Sequence, residues 1–153
     1  MTQAHHVVRL ERPIEEVFDF LADGTNNPRW QRFVVRTAPS NGAVGVGHTF
    51  SQRVRHPLGF TVPADFRVTE YERPRRLSVI TTAGGPIRPT ITYELTPDGE
   101  NATVLRCTVE HPLAGMARIA APATALLHPL FAWEARSVER IGHCLGSATQ
   151  KAA

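Results

Sequence analysis

From about residue 49 to residue 111 the chain reads as strand and turn throughout. The segments Thr49 to Arg55, Thr61 to Tyr71, Leu77 to Thr82, Pro89 to Leu95 and Thr103 to His111 are rich in β-branched and aromatic residues. Gly84-Gly85-Pro86 and Pro97-Asp98-Gly99-Glu100-Asn101 separate them with turn chemistry, as Asn41-Gly42 does just upstream. Connections this short leave no room for a crossover helix, so successive strands must run antiparallel. A βαβ fold is excluded.

Period two assigns the faces of these strands. Phe50, Gln52, Val54 and His56 share one side, and so do Val62, Ala64, Phe66 and Val68. Ile91, Tyr93 and Leu95 form a third inward set, and Leu105, Cys107, Val109 and His111 a fourth. A sheet with one apolar face needs a covering layer. The segment from about Ala114 to Ala148 can supply it, because Ala123, Leu127, Leu130, Phe131, Val138, Ile141 and Leu145 recur at helical spacing. Pro129 predicts that this long helix starts or bends there.

Upstream, His6 to Glu11 reads as a strand. Pro13 then opens a helix carrying Ile14, Val17, Phe18 and Leu21, with Glu15 and Glu16 near its positive end and Gly24 closing it. Arg29 to Phe33 suits a second short helix or turn. The expected architecture is therefore α+β: one curved antiparallel sheet of about seven strands around a long C-terminal helix, with two short helices after the first strand. At 153 residues a single domain is expected, residues 1–148, with 149–153 a flexible tail.

Composition narrows the function classes. Sixteen of the seventeen basic residues are Arg, but they are scattered and the net charge is only +3, which argues against nucleic-acid binding. No apolar run is long enough to span a bilayer, and the start lacks the order of a secretory signal. Cys107 and Cys144 have neither disulfide-framework nor zinc spacing. A cytoplasmic protein without metal or cofactor is expected, and a homodimer is left open.

Several anchors then point to a family. Pro13-Ile14-Glu15-Glu16-Val17-Phe18 with Asp23, the following Trp30, Gly45-Val46-Gly47, Glu72-Arg73-Pro74-Arg75-Arg76-Leu77 and Tyr93-Glu94-Leu95-Thr96-Pro97 span nearly the whole chain. In this order they make the sequence resemble the START/Bet v 1-like (SRPBCC) superfamily, in its bacterial polyketide cyclase/dehydrase-like branch. The resemblance implies a helix-grip fold with a cavity between sheet and terminal helix, which in relatives takes up lipids, hormones or polyketides. It carries no catalytic signature over to any residue here.

The residues themselves nominate candidates. On a helical wheel Glu134 falls within about 40° of Leu127, Val138, Ile141 and Leu145, so its carboxylate faces the sheet and would serve as proton donor or base. The alternative is a Glu that is partly exposed or paired with an Arg. His111 and His56 sit in inward phase, where an imidazole suits proton abstraction beside a carbonyl; core or rim packing is the competing reading. His111 and Glu134 are the catalytic candidates. Trp30, Gln52, His56, Phe66, Tyr93, Leu127 and Phe131 are the ligand-binding candidates, through aromatic walls and a few oriented polar groups. Arg88 or Arg106 would stabilise enolate charge, although Arg106 points outward by phase.

Three functions follow as expectations. The first is binding of a small hydrophobic or aromatic molecule. The second is a cofactor-independent polyketide cyclase, aromatase or dehydratase that moves protons with a cavity His or Glu. The third is a protein-docking module whose cavity has collapsed.

Overall fold

A computed structural model describes residues 2–83, 88–111 and 132–152. Strand β1 (Thr2–Leu10) leads into helix α1 (Ile14–Ala22), a 3-10 turn (Gly24–Asn26) and the short helix α2 (Asn27–Trp30). The meander follows as β2 (Val34–Pro39), β3 (Thr49–Arg55), β4 (Thr61–Pro63), β5 (Phe66–Glu72), β6 (Arg76–Thr81), β7 (Thr90–Pro97) and β8 (Thr103–His111). Helical residues 132–136 (α3) and α4 (Glu139–Ala152) end the chain's described part.

The sheet curls into a half-barrel in the order β1-β8-β7-β6-β5-β3-β2, with β4 attached to β3. Every pairing is antiparallel. This is the expected α+β helix-grip architecture, with one local difference. The stretch expected as one strand from Thr61 to Tyr71 is two, because Asp65 spends its carboxylate on the sheet: Asp65 Oδ1 accepts from the Gln52 backbone N–H at 3.0 Å. β3 consequently pairs with β4 near its end and with β5 at its start.

Helix α1 has Pro13 ahead of its first turn and two glutamates inside it, as the dipole favours. Its Val17, Phe18, Phe20 and Leu21 are buried. Gly24 does not simply end this helix; it begins the 3-10 turn, and a Cβ there would lie 2.8 Å from the Phe50 ring. The close approach of backbone to ring therefore requires glycine.

The C-terminal covering element is interrupted. The expected bend near Pro129 lies outside the described residues, but a break occurs at Ser137–Val138. There Ser137 N–H donates to Glu134 O, Arg140 N–H to Ser137 O and Ile141 N–H to Val138 O, the tighter i→i+3 pattern. The Ser137 hydroxyl also donates to the Glu134 carbonyl, a local bond that competes with helix continuation. Val138 at the break and Ile141 and Leu145 beyond it are buried in the core, and α4 continues past residue 148 to Ala152.

Candidate functional site

The sheet and the α3 segment do not close on each other. Between them lies a cavity of about 500 Å³, walled by Phe66, Leu77, Val79 and Ile91 from the sheet and Leu21 from α1. Asn27, Gln52, Tyr93, Glu134 and Ser137 are its inner polar residues. Arg32, Phe33, Arg55, His56 and Trp133 are also among the lining residues.

Gln52 is held in place from three sides. Its Oε1 accepts from Asn27 Nδ2 at 3.0 Å and from Thr37 Oγ1 at 3.1 Å, and its backbone N–H is fixed by Asp65. With the oxygen doubly occupied, the amide NH₂ is the group left to meet a guest. Such a donor suits a carbonyl or hydroxyl oxygen.

Glu134 is half-buried, and the surface it retains belongs to a cavity-lining residue rather than to an outward-facing one. Among the described residues no donor or cation meets its carboxylate. Desolvation alone therefore acts on it, and burial pushes its pKa up to about 7. Its carboxyl is then divided between acid and base forms near neutrality, which is the condition for moving protons in either direction.

Tyr93 and Cys107 sit opposite each other on β7 and β8 and are both buried. Burial, together with the nearby Glu134 charge, raises both their pKa values, so phenol and thiol stay protonated. The Tyr93 hydroxyl is thus a donor beside Glu134, not a base.

Of the residues nominated from the sequence, the fold brings Gln52, His56, Phe66, Tyr93 and Glu134 to one cavity. Phe66 stacks on Phe50 with centroids 4.9 Å apart, and His56 stacks on Phe60 at 4.5 Å while its Nδ1 accepts from the Leu58 N–H. Trp30 is elsewhere: it is 2% exposed, edge-on to Tyr93 at 6.3 Å, and packs behind the lining with its Nε1–H unpartnered among the described residues. Arg88 and Arg106 are exposed and do not line the cavity. His111 closes β8 opposite Thr2, its side chain lying outside what is described, as do Leu127 and Phe131 altogether. Sequence reasoning missed Asn27 and Phe33. Asn27 opens α2 and Phe33 precedes β2, in a polar stretch too short to show the periodicity that marks an inward face. No three His, Cys, Asp or Glu among the described residues are grouped to hold a metal ion.

The family model for polyketide cyclase / dehydrase and lipid transport proteins matches residues 1–136. The chain belongs to that family. No curated protein sequence matches it. Among solved structures, the fold is similar to a protein from Nitrosomonas europaea, with a TM-score of 0.71 at 14% identity over 97% of this chain and 96% of that one. A START superfamily protein from Mycobacterium smegmatis aligns at TM-score 0.60 and 15% identity, covering 90% of this chain and 97% of the other. The di-domain ARO/CYC StfQ from the steffimycin biosynthetic pathway aligns at TM-score 0.72 and 11% identity, over 97% of this chain and 51% of that one. At these identities the structural likenesses establish the fold alone. No helix among the described residues is long and apolar enough to cross a membrane.

Proposed function

We propose that this family member binds a small, flat, mostly apolar molecule that carries oxygen atoms, using the cavity beneath α3. The carrying observation is the cavity itself: about 500 Å³ walled by aliphatic and aromatic side chains, with few polar groups directed at it. The Gln52 amide and the Glu134 and Tyr93 hydroxyl-bearing groups would anchor ligand oxygens. The docking alternative needs an interior filled by the protein's own side chains, and this open space gives it no support.

Titration with 1-naphthol, followed through tryptophan fluorescence, tests the proposal. Saturable binding is expected, weakened about tenfold in Gln52→Ala if one hydrogen bond to the guest is lost and its buried partners are left unpaired. Absence of saturable binding by naphthol and by larger polycyclic phenols would count against a small-molecule host.

A second reading, cofactor-independent proton transfer in a cyclase or dehydratase, rests on one specific feature. Glu134 has a pKa of about 7 in an apolar cavity with the Tyr93 phenol nearby. A carboxyl so poised can take a proton from a carbon next to a ketone while a neutral phenol donates to the developing enolate oxygen. Glu134→Gln should then remove turnover of a poly-β-keto substrate by at least about a hundredfold while naphthol still binds. Equal loss of binding and turnover would leave only the carrier reading.

A further inference from the structure

Of the seven large apolar residues exposed among the described residues, four lie together. Leu58 is 81% exposed and Phe60 52%, both on the β3–β4 turn, while Phe33 and Trp133 are 36% and 37% exposed at the cavity lining. These residues form one rim. The Phe33 and Trp133 rings are 4.7 Å apart, the Phe33 carbonyl accepts from the Arg55 N–H, and the adjoining His56 stacks on Phe60. Gly59, at φ +97°, makes the sharp turn that carries Leu58 outward.

The charges beside this rim are equally uneven. Arg36 and Arg53 stand directly opposite each other on β2 and β3. Like charges in that register repel. Arg55 lies two residues along the same face of β3, and Arg32 lines the cavity with Phe33. None of these four arginines has an ion pair among the described residues, whereas Arg9, Arg73 and Arg76 all do. Asp65, the acid between β4 and β5, spends an oxygen on the Gln52 backbone N–H. Repulsion of this kind is relieved by an external anion, and an exposed apolar tip is accommodated by a fluid apolar phase.

We propose that this end of the protein docks on the surface of an anionic phospholipid bilayer, Leu58 and Phe60 entering the interface and Arg32, Arg36, Arg53 and Arg55 facing the headgroups. The chain lies on the membrane without spanning it. Because cavity and tip share one end, an apolar guest would pass between bilayer and cavity with little exposure to water. An acidic protein partner would satisfy the arginines but would also need an apolar pocket shaped for Leu58.

Co-sedimentation of the full chain with vesicles tests this directly. Vesicles of phosphatidylcholine mixed with phosphatidylglycerol should bind the protein at least about tenfold better than phosphatidylcholine alone, and the difference should shrink at high salt. Leu58→Asp should lower anionic-vesicle binding about tenfold, and Arg53→Glu with Arg55→Glu should do the same. Val46→Asp, at a valine 70% exposed on the far β2–β3 loop, should change nothing. Leu58→Ser serves as a milder second variant, with unchanged circular dichroism required of both. Naphthol binding without vesicles should be unaltered in Leu58→Asp, so failure of the cavity reading and failure of this one remain separate. The proposal is overturned by equal binding to both vesicle types or by Leu58→Asp binding like wild type. It is also overturned if the arginine variants bind normally, which would reduce the arginines to guards of the edge strand, or if only polyglutamate, and no vesicle, retains the protein.

Discussion

The two ends of the sheet's concave face have different fates. Toward β1 and β8, the space is full: Leu105, Val109, Val138 and Ile141 are completely buried, and α4 approaches so closely that a Cβ on Gly142 would sit 3.3 Å from Leu10. Toward β3 and β6 the same kind of apolar side chain, Phe66 or Val79, faces a cavity instead. Hydrophobic patterning is alike in both regions. What differs is the covering element, which is continuous helix over the closed end and broken at Ser137–Val138 beside the open one. An apolar face therefore becomes core or binding site according to what backbone lies above it.

The largest expected effect belongs to the closed end. Ile141→Ala should lower unfolding free energy by about 2–5 kcal/mol in urea titration, since a fully enclosed side chain leaves a cavity that its neighbours cannot fill. A loss below about 1 kcal/mol would mean that the closed end is looser than its burial indicates, and the contrast between the two ends would fail.

The open end should reveal itself through pH. The Glu134 carboxyl moves from 4.5 to about 7 on folding, so between those values the folded chain holds a proton that the unfolded chain has released. Stability from this group is present below pH 4.5 and is lost as pH rises through 7, by up to about 3 kcal/mol. Glu134→Gln should abolish that loss, making the variant more stable than wild type at pH 8 and nearly equal to it at pH 4. Identical pH profiles for the two proteins would mean that the carboxylate is solvated or paired, contrary to an enclosed apolar wall.

At the boundary between the ends, Phe50 links Gly24 on one side to cavity-lining Phe66 on the other. Gly24→Ala should cost about 1–3 kcal/mol, because the added methyl meets the Phe50 ring and the stacked pair behind it must shift. Thermal unfolding with and without naphthol separates the consequences: a lower melting temperature with weaker ligand stabilisation is expected. A neutral substitution would mean that Phe50 can yield without disturbing Phe66.

Much of this arrangement was legible in the sequence, and the gaps have identifiable causes. Thr49–Arg55 and Thr103–His111 are strands with the bounds their patterning predicts, because alternation and turn residues are local properties. The split between β4 and β5 was not legible, since it depends on the Asp65 carboxylate reaching the Gln52 backbone of another strand. Nor was the break at Ser137, where a small polar residue inside an apolar stripe gives no warning as strong as proline. Glu134 is legible by placing it on one helical wheel with Leu127, Val138, Ile141 and Leu145. The chain is not helical at 137–138, yet Glu134 still lines the cavity, because it lies in α3, ahead of the break. Trp30 and Phe33 show the limit most clearly. Three residues apart, one is core and the other rim, a distinction made by where α2 stops.

The smallest expected change in stability is also the sharpest test of the contrast. Val79 lines the open end, 8% exposed, with empty space before its side chain. Val79→Phe should therefore alter unfolding free energy by less than about 1.5 kcal/mol, whereas Val109→Phe, at a position with no exposure in the closed end, should cost about 3 kcal/mol or prevent folding. The same Val79→Phe ring would occupy space needed by a guest, so naphthol affinity should fall at least about tenfold, a loss of about 1.4 kcal/mol. Large destabilisation at both positions would mean that the cavity closes in solution. Tolerance at Val79 with undiminished naphthol binding would move the binding site away from the β6 wall, and either result would separate the apolar face from the function assigned to it.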